Sequence, residues 1–106
     1  MIGFILIAAT APFVFTNLGE GTTTCGTWIN SRREQPQRVL PEASWLLGYI
    51  TASAKSDSAR TGRKIARGIN GAATDHWLDN YCAAHPLDNI ETAATALVAE
   101  LSDRAR

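Results

Sequence analysis

The chain has 106 residues, of which 45% are hydrophobic and 19% charged, and its ten basic side chains balance its ten acidic ones. This length allows one small domain. The composition excludes a disordered tail, a collagen-like chain and a strongly basic nucleic-acid binder, so we expect no nucleic-acid partner. It does not identify an activity by itself.

An almost unbroken apolar run, IGFILIAATAPFVF, occupies residues 2–15. As a helix this run is about 21 Å long, shorter than the ~30 Å hydrocarbon core of a bilayer, and Pro12 interrupts it. The length is typical of a secretory signal peptide rather than a membrane span. We therefore expect export to the periplasm and no stable membrane span in the mature chain. A buried N-terminal helix is the alternative.

The expected domain organisation is a signal peptide or apolar segment over residues 1–21 and a single helical domain over residues 22–106. Two stretches of small residues are candidate cleavage sites. The first is Ala9-Thr10-Ala11, which Pro12 follows, and the second is Gly19-Glu20-Gly21, which leaves a mature chain that begins near Thr22.

The chain contains two cysteines, Cys25 and Cys82. In an exported protein an even number of cysteines favours a disulfide, and two cysteines allow one connectivity. Two buried free thiols in a cytosolic protein are the alternative. Neither a CxxC motif nor a second Cys/His pair accompanies these cysteines, so we expect no metal site.

Four helical segments and no strand are predicted. The first covers residues 24–34, where Cys25, Trp28 and Ile29 share one helical face, and it ends before Pro36. The second carries Pro41 in its first turn and reaches about Ala54. Its apolar stripe consists of Trp45, Leu46, Tyr49 and Ile50.

Residues 55–73 are rich in serine, glycine and basic side chains and predict a mobile connection with a short helical turn over residues 64–67. Asn70 or Thr74 is the expected cap of the third helix, which His85-Pro86 ends. Asp88 and Glu91 predict a capping box at the start of the fourth helix. The apolar positions of that helix are Ile90, Ala93, Ala94, Leu97, Val98 and Leu101.

The predicted fold is therefore all-α, a small bundle of about four helices linked by one disulfide. The aromatic side chains fall on the apolar stripes of three helices, so we expect them to share one core. The side chains expected to be buried together are Trp28, Trp45, Trp77, Tyr81, Leu97 and Leu101.

No residue pattern indicates catalysis. His76 lies near a helix start and His85 in a last turn, and neither has a partner at catalytic spacing. Asp75 and Asp79, one helical turn apart, are more typical of a surface pair than of an acid/base dyad. The chain has no P-loop and no dinucleotide fingerprint. We expect no enzymatic activity, no catalytic residue and no cofactor.

Several features together resemble a known group of proteins. They are Cys25 close to a tryptophan, a central Gly48-Tyr49 pair in WLLGYIT, and Cys82 followed four residues later by Pro86 in WLDNYCAAHPLDNIETAATALVAEL. This pattern, over residues 24–101, resembles the small exported all-helical HdeA-like proteins of proteobacteria. The C-terminal stretch is also similar to the Rap/Tai-type immunity proteins of type VI secretion.

The HdeA-like resemblance implies a periplasmic helical domain with bonded cysteines and the activity of an acid-stress chaperone that holds unfolded clients. The Rap/Tai resemblance implies an immunity protein that covers the active site of a secreted amidase toxin. An envelope interaction module is a third alternative, and a homodimer is left open. We expect acid to expose a client or partner surface formed by Trp45, Leu46, Tyr49, Ile50, Leu97, Val98 and Leu101.

Overall fold

The computed structural model describes residues 14–106, which form four α-helices and no strand. The helices are α1 (Cys25–Glu34), α2 (Leu40–Thr61), α3 (Gly71–Ala84) and α4 (Ile90–Arg104), and short 3-10 helices precede α1 (Gly19–Thr22) and α2 (Pro36–Val39). The prediction of an all-α fold of four helices is confirmed. Helix α1 packs on α3, and α2 packs on both α3 and α4.

Helix α1 begins where the sequence predicts, because the Thr24 hydroxyl accepts a hydrogen bond from the Thr27 backbone N–H. The entry to α1 is also joined to the entry to α4. The backbone N–H of Cys25 donates to the Asp88 carbonyl oxygen over 2.7 Å, and that of Ile90 donates to the Thr23 carbonyl oxygen over 2.9 Å. This backbone clamp places the first turns of the two helices side by side.

Helix α2 continues past Ala54 to Thr61, so the prediction of a mobile connection over residues 55–73 is wrong for its helical parts. Asp57 explains the extension, because its buried carboxylate lies 3.4 Å from the Arg60 guanidinium and 3.2 Å from that of Arg63. Gly62 then ends the helix with φ of +74°, a left-handed conformation that glycine adopts without a steric penalty.

The segment between α2 and α3 is short and partly buried. A turn over residues 65–68 lies where the sequence predicts a helical turn, and Ile65 in it joins the core. Asn70 was one of the two predicted caps of α3. Its side chain does cap this helix, by accepting a hydrogen bond from the Ala73 N–H.

The prediction of an Asp88–Glu91 capping box is wrong by one residue. Asn89 caps α4 instead, and its side-chain oxygen accepts from the Thr92 N–H over 2.9 Å. Asp88 is not available as a cap, because its backbone carbonyl belongs to the clamp with Cys25 and its carboxylate accepts from Tyr81.

The core lies between the four helices and contains the disulfide. Cys25 and Cys82 are bonded, with their Cα atoms 4.8 Å apart, and both are fully buried. The bond joins the first turn of α1 to the last turn of α3. The buried hydrophobic residues around it are Trp28, Val39, Leu46, Ile50, Ile65, Leu78, Ile90, Ala93, Ala94, Leu97 and Leu101.

The predicted aromatic core is only partly correct. Trp28 is buried as expected, but Trp45, Trp77 and Tyr81 are half-buried. One edge of each of these three rings packs against the core, and the polar atom at the other edge donates a hydrogen bond to a group at the surface. The Trp77 indole N–H, for example, donates to a carboxylate oxygen of Glu100. A polar ring atom of this kind needs a partner, and here the partners lie at the surface.

Of the predicted signal peptide or apolar segment, residues 1–21, the first 13 lie outside the described residues, as does the candidate cleavage site Ala9-Thr10-Ala11. Within residues 14–106 no helix combines the length and the apolar character needed to cross a bilayer.

Candidate partner-binding groove

An N-terminal strap, residues 14–18, lies against α2 and leads into the first 3-10 helix. It is held by the Trp45 indole N–H, which donates to the Leu18 carbonyl oxygen over 2.9 Å. Gly21 lies directly beneath the Trp45 ring, and a Cβ at this position would collide with the ring. The absence of a side chain at Gly21 is therefore what lets the chain pass under the tryptophan.

The strap forms one wall of a groove of about 960 Å³, which we call the aromatic groove. The other walls come from α2, α3 and α4. Its lining is mostly apolar or uncharged, and among the described residues Glu91 is the one charged residue that lines it. The lining residues are Val14, Phe15, Thr16, Asn17, Leu18, Trp45, Tyr49, Tyr81, Glu91, Thr92, Thr95, Ala96 and Ala99.

Two stacked rings from α2 form the aromatic wall. The ring centroids of Trp45 and Tyr49 are 5.4 Å apart. The Tyr49 hydroxyl lies 3.1 Å from the Thr95 hydroxyl, which in turn donates to the Glu91 carboxylate over 2.9 Å. The Glu91 carboxylate therefore has two hydroxyl donors at the groove, Thr95 and, over 3.5 Å, Tyr49.

Tyr81 contributes the α3 side of the groove and stands in a ladder of three stacked rings. Its centroid is 5.2 Å from that of Trp77 and 4.4 Å from that of His85. The Tyr81 hydroxyl donates to a carboxylate oxygen of Asp88 over 2.6 Å. Burial, followed by this hydrogen bond and the negative charge of Asp88, raises the pKa of Tyr81 to about 12.

We expect the Tyr81 phenol to ionise near pH 12, and the Asp88→Asn variant to shift this pKa part of the way back towards 10. The raised pKa means that the folded state favours the protonated phenol of Tyr81. The stability that this phenol contributes is complete below pH ~10, where the unfolded chain is also protonated, and is lost as the pH rises to about 12. Ultraviolet absorbance of phenolate during an alkaline titration measures the shift. A Tyr81 transition near pH 10 would contradict it.

A second polar cluster lies away from the aromatic groove, where α1 packs on α3. Asp79 accepts the Trp28 indole N–H over 2.8 Å and the Nε and Nη2 donors of the Arg32 guanidinium, over 3.0 and 2.8 Å. Burial alone would raise the pKa of Asp79, but the hydrogen bonds and charge of Arg32, with smaller contributions from Trp28 and His76, lower it. This carboxylate therefore ties the two helices together as an anion.

Asp75, one turn earlier on α3, is in the reverse situation. Its Oδ1 atom is buried without a hydrogen-bond partner among the described residues. Burial raises the pKa of Asp75, although the charge of Arg32 opposes the shift. Asp75 and Asp79 thus share a face but differ in their bonding, and neither lines the aromatic groove.

We expect the Asp79→Asn variant to lose about 1 kcal/mol of stability at pH 7, because the ion pair with Arg32 is one-third exposed and screened by solvent. Because the pKa of Asp79 is lower in the folded than in the unfolded chain, the ionised carboxylate stabilises the fold above pH ~3.9, the pKa of an unfolded aspartate. This contribution disappears as the pH falls through the lower pKa of the folded state. The difference between variant and parent should vanish once the pH has fallen below the folded-state pKa of Asp79. Urea unfolding at several pH values measures it, and a difference that persists in acid would contradict the assignment.

The structure divides the predicted client surface into two groups. Trp45 and Tyr49 line the aromatic groove, whereas Val98 is half-buried and lines a separate, smaller pocket with Ile65 and Ser102. The other four residues belong to the core and are at most 3% exposed, so the native fold covers them; they are Leu46, Ile50, Leu97 and Leu101.

The α4 side of the groove was not predicted from the sequence. Thr92, Thr95, Ala96 and Ala99 recur at helical spacing and form a second uncharged face beside the buried one. Small uncharged side chains at exposed helical positions were the available signal, since a solvated face usually carries charges.

Within residues 14–106 no group of three or more histidine, cysteine, aspartate or glutamate side chains has an arrangement that could hold a metal ion. No protein-family model matches the chain, and neither a curated protein nor a solved structure shows significant similarity to it.

Proposed function

We propose that this protein is an exported periplasmic protein that binds apolar segments of other proteins in the aromatic groove and acts as an acid-responsive holdase chaperone. The observation that carries the proposal is the groove itself, a concave surface of two stacked rings facing small uncharged side chains. Unfolded clients expose apolar side chains, which gain free energy by leaving water for such a surface. The disulfide supports export, because such bonds persist in oxidising compartments.

The acid response has a physical basis in carboxylates that join elements of the fold. Asp79 bonds α1 to α3, Glu91 bonds to the Tyr49 hydroxyl of α2, and Asp57 holds the end of α2. Protonation removes the charge of each carboxylate and leaves the basic side chains to repel one another. The disulfide is not affected by acid, so α1 and α3 stay joined while the rest of the bundle loosens.

Charge distribution favours the same response. Residues 31–70 contain eight basic and three acidic side chains, whereas residues 71–106 contain two basic and six acidic ones. At neutral pH the two parts attract each other. In acid this attraction is lost, and the covered residues of the client surface become accessible when α2 separates from α4. Opposing this response, protonation of Asp75 relieves an unfavourable buried charge and adds stability.

An aggregation assay tests the proposal with a matched pair of variants. Ala99 is exposed and lines the groove, whereas Ala59 is exposed on α2 away from it. The protein is mixed with an acid-denatured client near pH 3, and light scattering is followed after neutralisation. We expect the parent and Ala59→Arg to suppress aggregation at equimolar concentration and Ala99→Arg to lose most of this activity.

The assay also has a clear negative outcome. If the parent suppresses no aggregation although circular dichroism shows that its helices are intact after neutralisation, the holdase function is wrong. Equal activity of Ala99→Arg and Ala59→Arg would instead show that clients bind elsewhere.

A second candidate function is that of an immunity protein against a secreted amidase toxin. The observation that favours it is that the groove is already open in the folded state, which suits a folded partner at neutral pH. An amidase assay at pH 7 distinguishes the two functions. Inhibition of a periplasm-directed amidase by the parent but not by Ala99→Arg supports immunity, and unchanged amidase activity excludes it for the enzyme tested.

A further inference from the structure

Glu91 places a negative charge in the aromatic groove. It lies in the first turn of α4 and is half-buried. The Thr95 hydroxyl donates to its Oε2 atom over 2.9 Å, and the Tyr49 hydroxyl donates to the same atom over 3.5 Å. Hydroxyl donors leave the charge of a carboxylate in place. None of the ion pairs within residues 14–106 includes Glu91, so no basic side chain of these residues balances its charge.

The rings beside Glu91 also favour a cation. The Trp45 and Tyr49 rings stack with their centroids 5.4 Å apart, and the Tyr49 hydroxyl contacts the carboxylate. A lysine or arginine gains electrostatic attraction when its charge lies over an aromatic face, within about 6 Å of the ring centre, and tryptophan is the strongest partner. A basic side chain can therefore meet a carboxylate and two aromatic rings in one groove.

The charge of the surrounding helices has the same sign. Residues 71–106, which include α3 and α4, contain six acidic and two basic side chains. Both basic residues, Arg104 and Arg106, lie at the C-terminal end of this stretch, whereas Glu91 lies at the start of α4. Asp88 adds a second carboxylate next to the Tyr81 hydroxyl. A cation that approaches this side of the groove therefore meets a negative potential.

We propose that the aromatic groove selects apolar protein segments that carry a lysine or an arginine, and that Glu91 determines this preference. The inference rests on the proposed function, because it names the class of segment that the groove binds. The aliphatic stem of a lysine can pack on the apolar lining while its ammonium reaches the Glu91 carboxylate. A segment with an acidic side chain at the same place meets a like charge and binds more weakly.

The rest of the lining explains why the partner is a protein segment rather than a free cation. The groove has a volume of about 960 Å³, more than one basic side chain fills, and the small side chains of Thr92, Ala96 and Ala99 leave room for apolar neighbours. An ion pair that solvent reaches contributes little affinity by itself. Apolar contacts along the groove therefore supply most of the affinity, and Glu91 discriminates between segments.

Fluorescence anisotropy with three labelled peptides tests the preference at pH 7. The peptides share the sequence Gly-Leu-Phe-X-Leu-Phe-Gly with capped ends, and X is lysine, glutamine or glutamate. We expect the parent to bind the lysine peptide about fivefold more tightly than the glutamine peptide, and the glutamate peptide most weakly. The difference between the lysine and glutamine peptides should shrink at high salt, which screens charges.

Two variants of α4 assign the preference to one side chain. Glu91→Gln keeps an amide oxygen for the Tyr49 and Thr95 hydroxyls but has no charge, so it should lose most of the difference between the lysine and glutamine peptides. Asp103→Asn removes a carboxylate from the same helix at a 72% exposed position outside the groove, and it should keep the preference of the parent. Circular dichroism checks that both variants are folded.

Three results would overturn the inference. The first is that the parent binds the lysine and glutamine peptides with equal affinity, or binds neither. The second is that Asp103→Asn loses the preference as fully as Glu91→Gln does, since the effect would then come from net charge alone. The third is a dimer of the parent, seen by sedimentation without peptide, that Glu91→Gln dissociates, because a second copy of the chain would then occupy the groove.

The aggregation assay separates this inference from the proposed function. If the parent prefers the lysine peptide through Glu91 but suppresses no aggregation, the preference is real and the holdase function is wrong. If the parent suppresses aggregation but binds the lysine and glutamine peptides equally, the holdase function stands and the role of Glu91 is wrong.

Discussion

Replacement of Trp28 by alanine is expected to lower the free energy of unfolding by about 3–5 kcal/mol, the usual cost of emptying a large core site. Trp28 is 1% exposed and is the largest fully buried side chain of the described residues. The substitution also removes the indole N–H that Asp79 accepts, so the carboxylate loses one of its donors. Urea unfolding followed by circular dichroism measures the change.

Two further substitutions serve as controls for Trp28→Ala. Trp28→Phe keeps most of the ring volume but not the N–H donor, and we expect a loss of about 1–3 kcal/mol, typical of a buried polar group left with fewer partners. Trp77→Ala removes a half-buried ring and should cost less than Trp28→Ala. If Trp77→Ala costs as much as Trp28→Ala, the assignment of Trp28 as the central core residue is wrong.

Removal of the disulfide is expected to cost about 2–5 kcal/mol, because Cys25 and Cys82 lie 57 residues apart and the bond restricts the unfolded chain. The double variant Cys25→Ala/Cys82→Ala and the reduced parent should both unfold at lower urea concentration than the oxidised parent. Both cysteines are 0% exposed, so a reductant should act slowly in buffer and faster in mild urea.

The control is the oxidised Asp79→Asn variant, which weakens the same contact between α1 and α3 without changing the cross-link. The losses of unfolding free energy caused by removing the disulfide and by Asp79→Asn should not add, since the two changes act on neighbouring contacts of one interface. Identical urea midpoints for oxidised and reduced parent would show that the cross-link does not contribute to stability.

The helices with a clear apolar stripe were predictable from the sequence, whereas the end of α2 was not. Residues 55–61, KSDSART, have no apolar side chain larger than alanine, so hydrophobic periodicity gives no signal there. What makes this segment helical is the pairing of buried Asp57 with Arg60 and Arg63. Both partners are local in sequence, but the burial of Asp57 depends on tertiary structure, and Gly62 was the clearest local sign of the true helix end.

The aromatic groove was only half predictable for a similar reason. Trp45 and Tyr49 were identified because they lie on an apolar stripe, but their exposure depends on contacts with the strap. No local pattern shows that the chain passes beneath Trp45 at Gly21, or that Tyr81 of α3 reaches the same space. Residues that meet only through the fold carry no signature in the periodicity of any one helix.

The clamp between the starts of α1 and α4 affects when the domain can fold during synthesis. A chain made at about 5–20 residues per second completes the 57 residues from Cys25 to Cys82 in about 3–11 s. During this interval Trp28 and Cys25 have no native partner on α3, and Thr23 has none at Ile90.

Assembly therefore follows the emergence of the last two helices and does not proceed from the N-terminus. The exposed thiol of Cys25 cannot form a wrong intramolecular bond in the meantime, because the chain has no third cysteine. Exchange with a thiol of another molecule is then the competing reaction, and pairing between two copies becomes faster as their concentration rises.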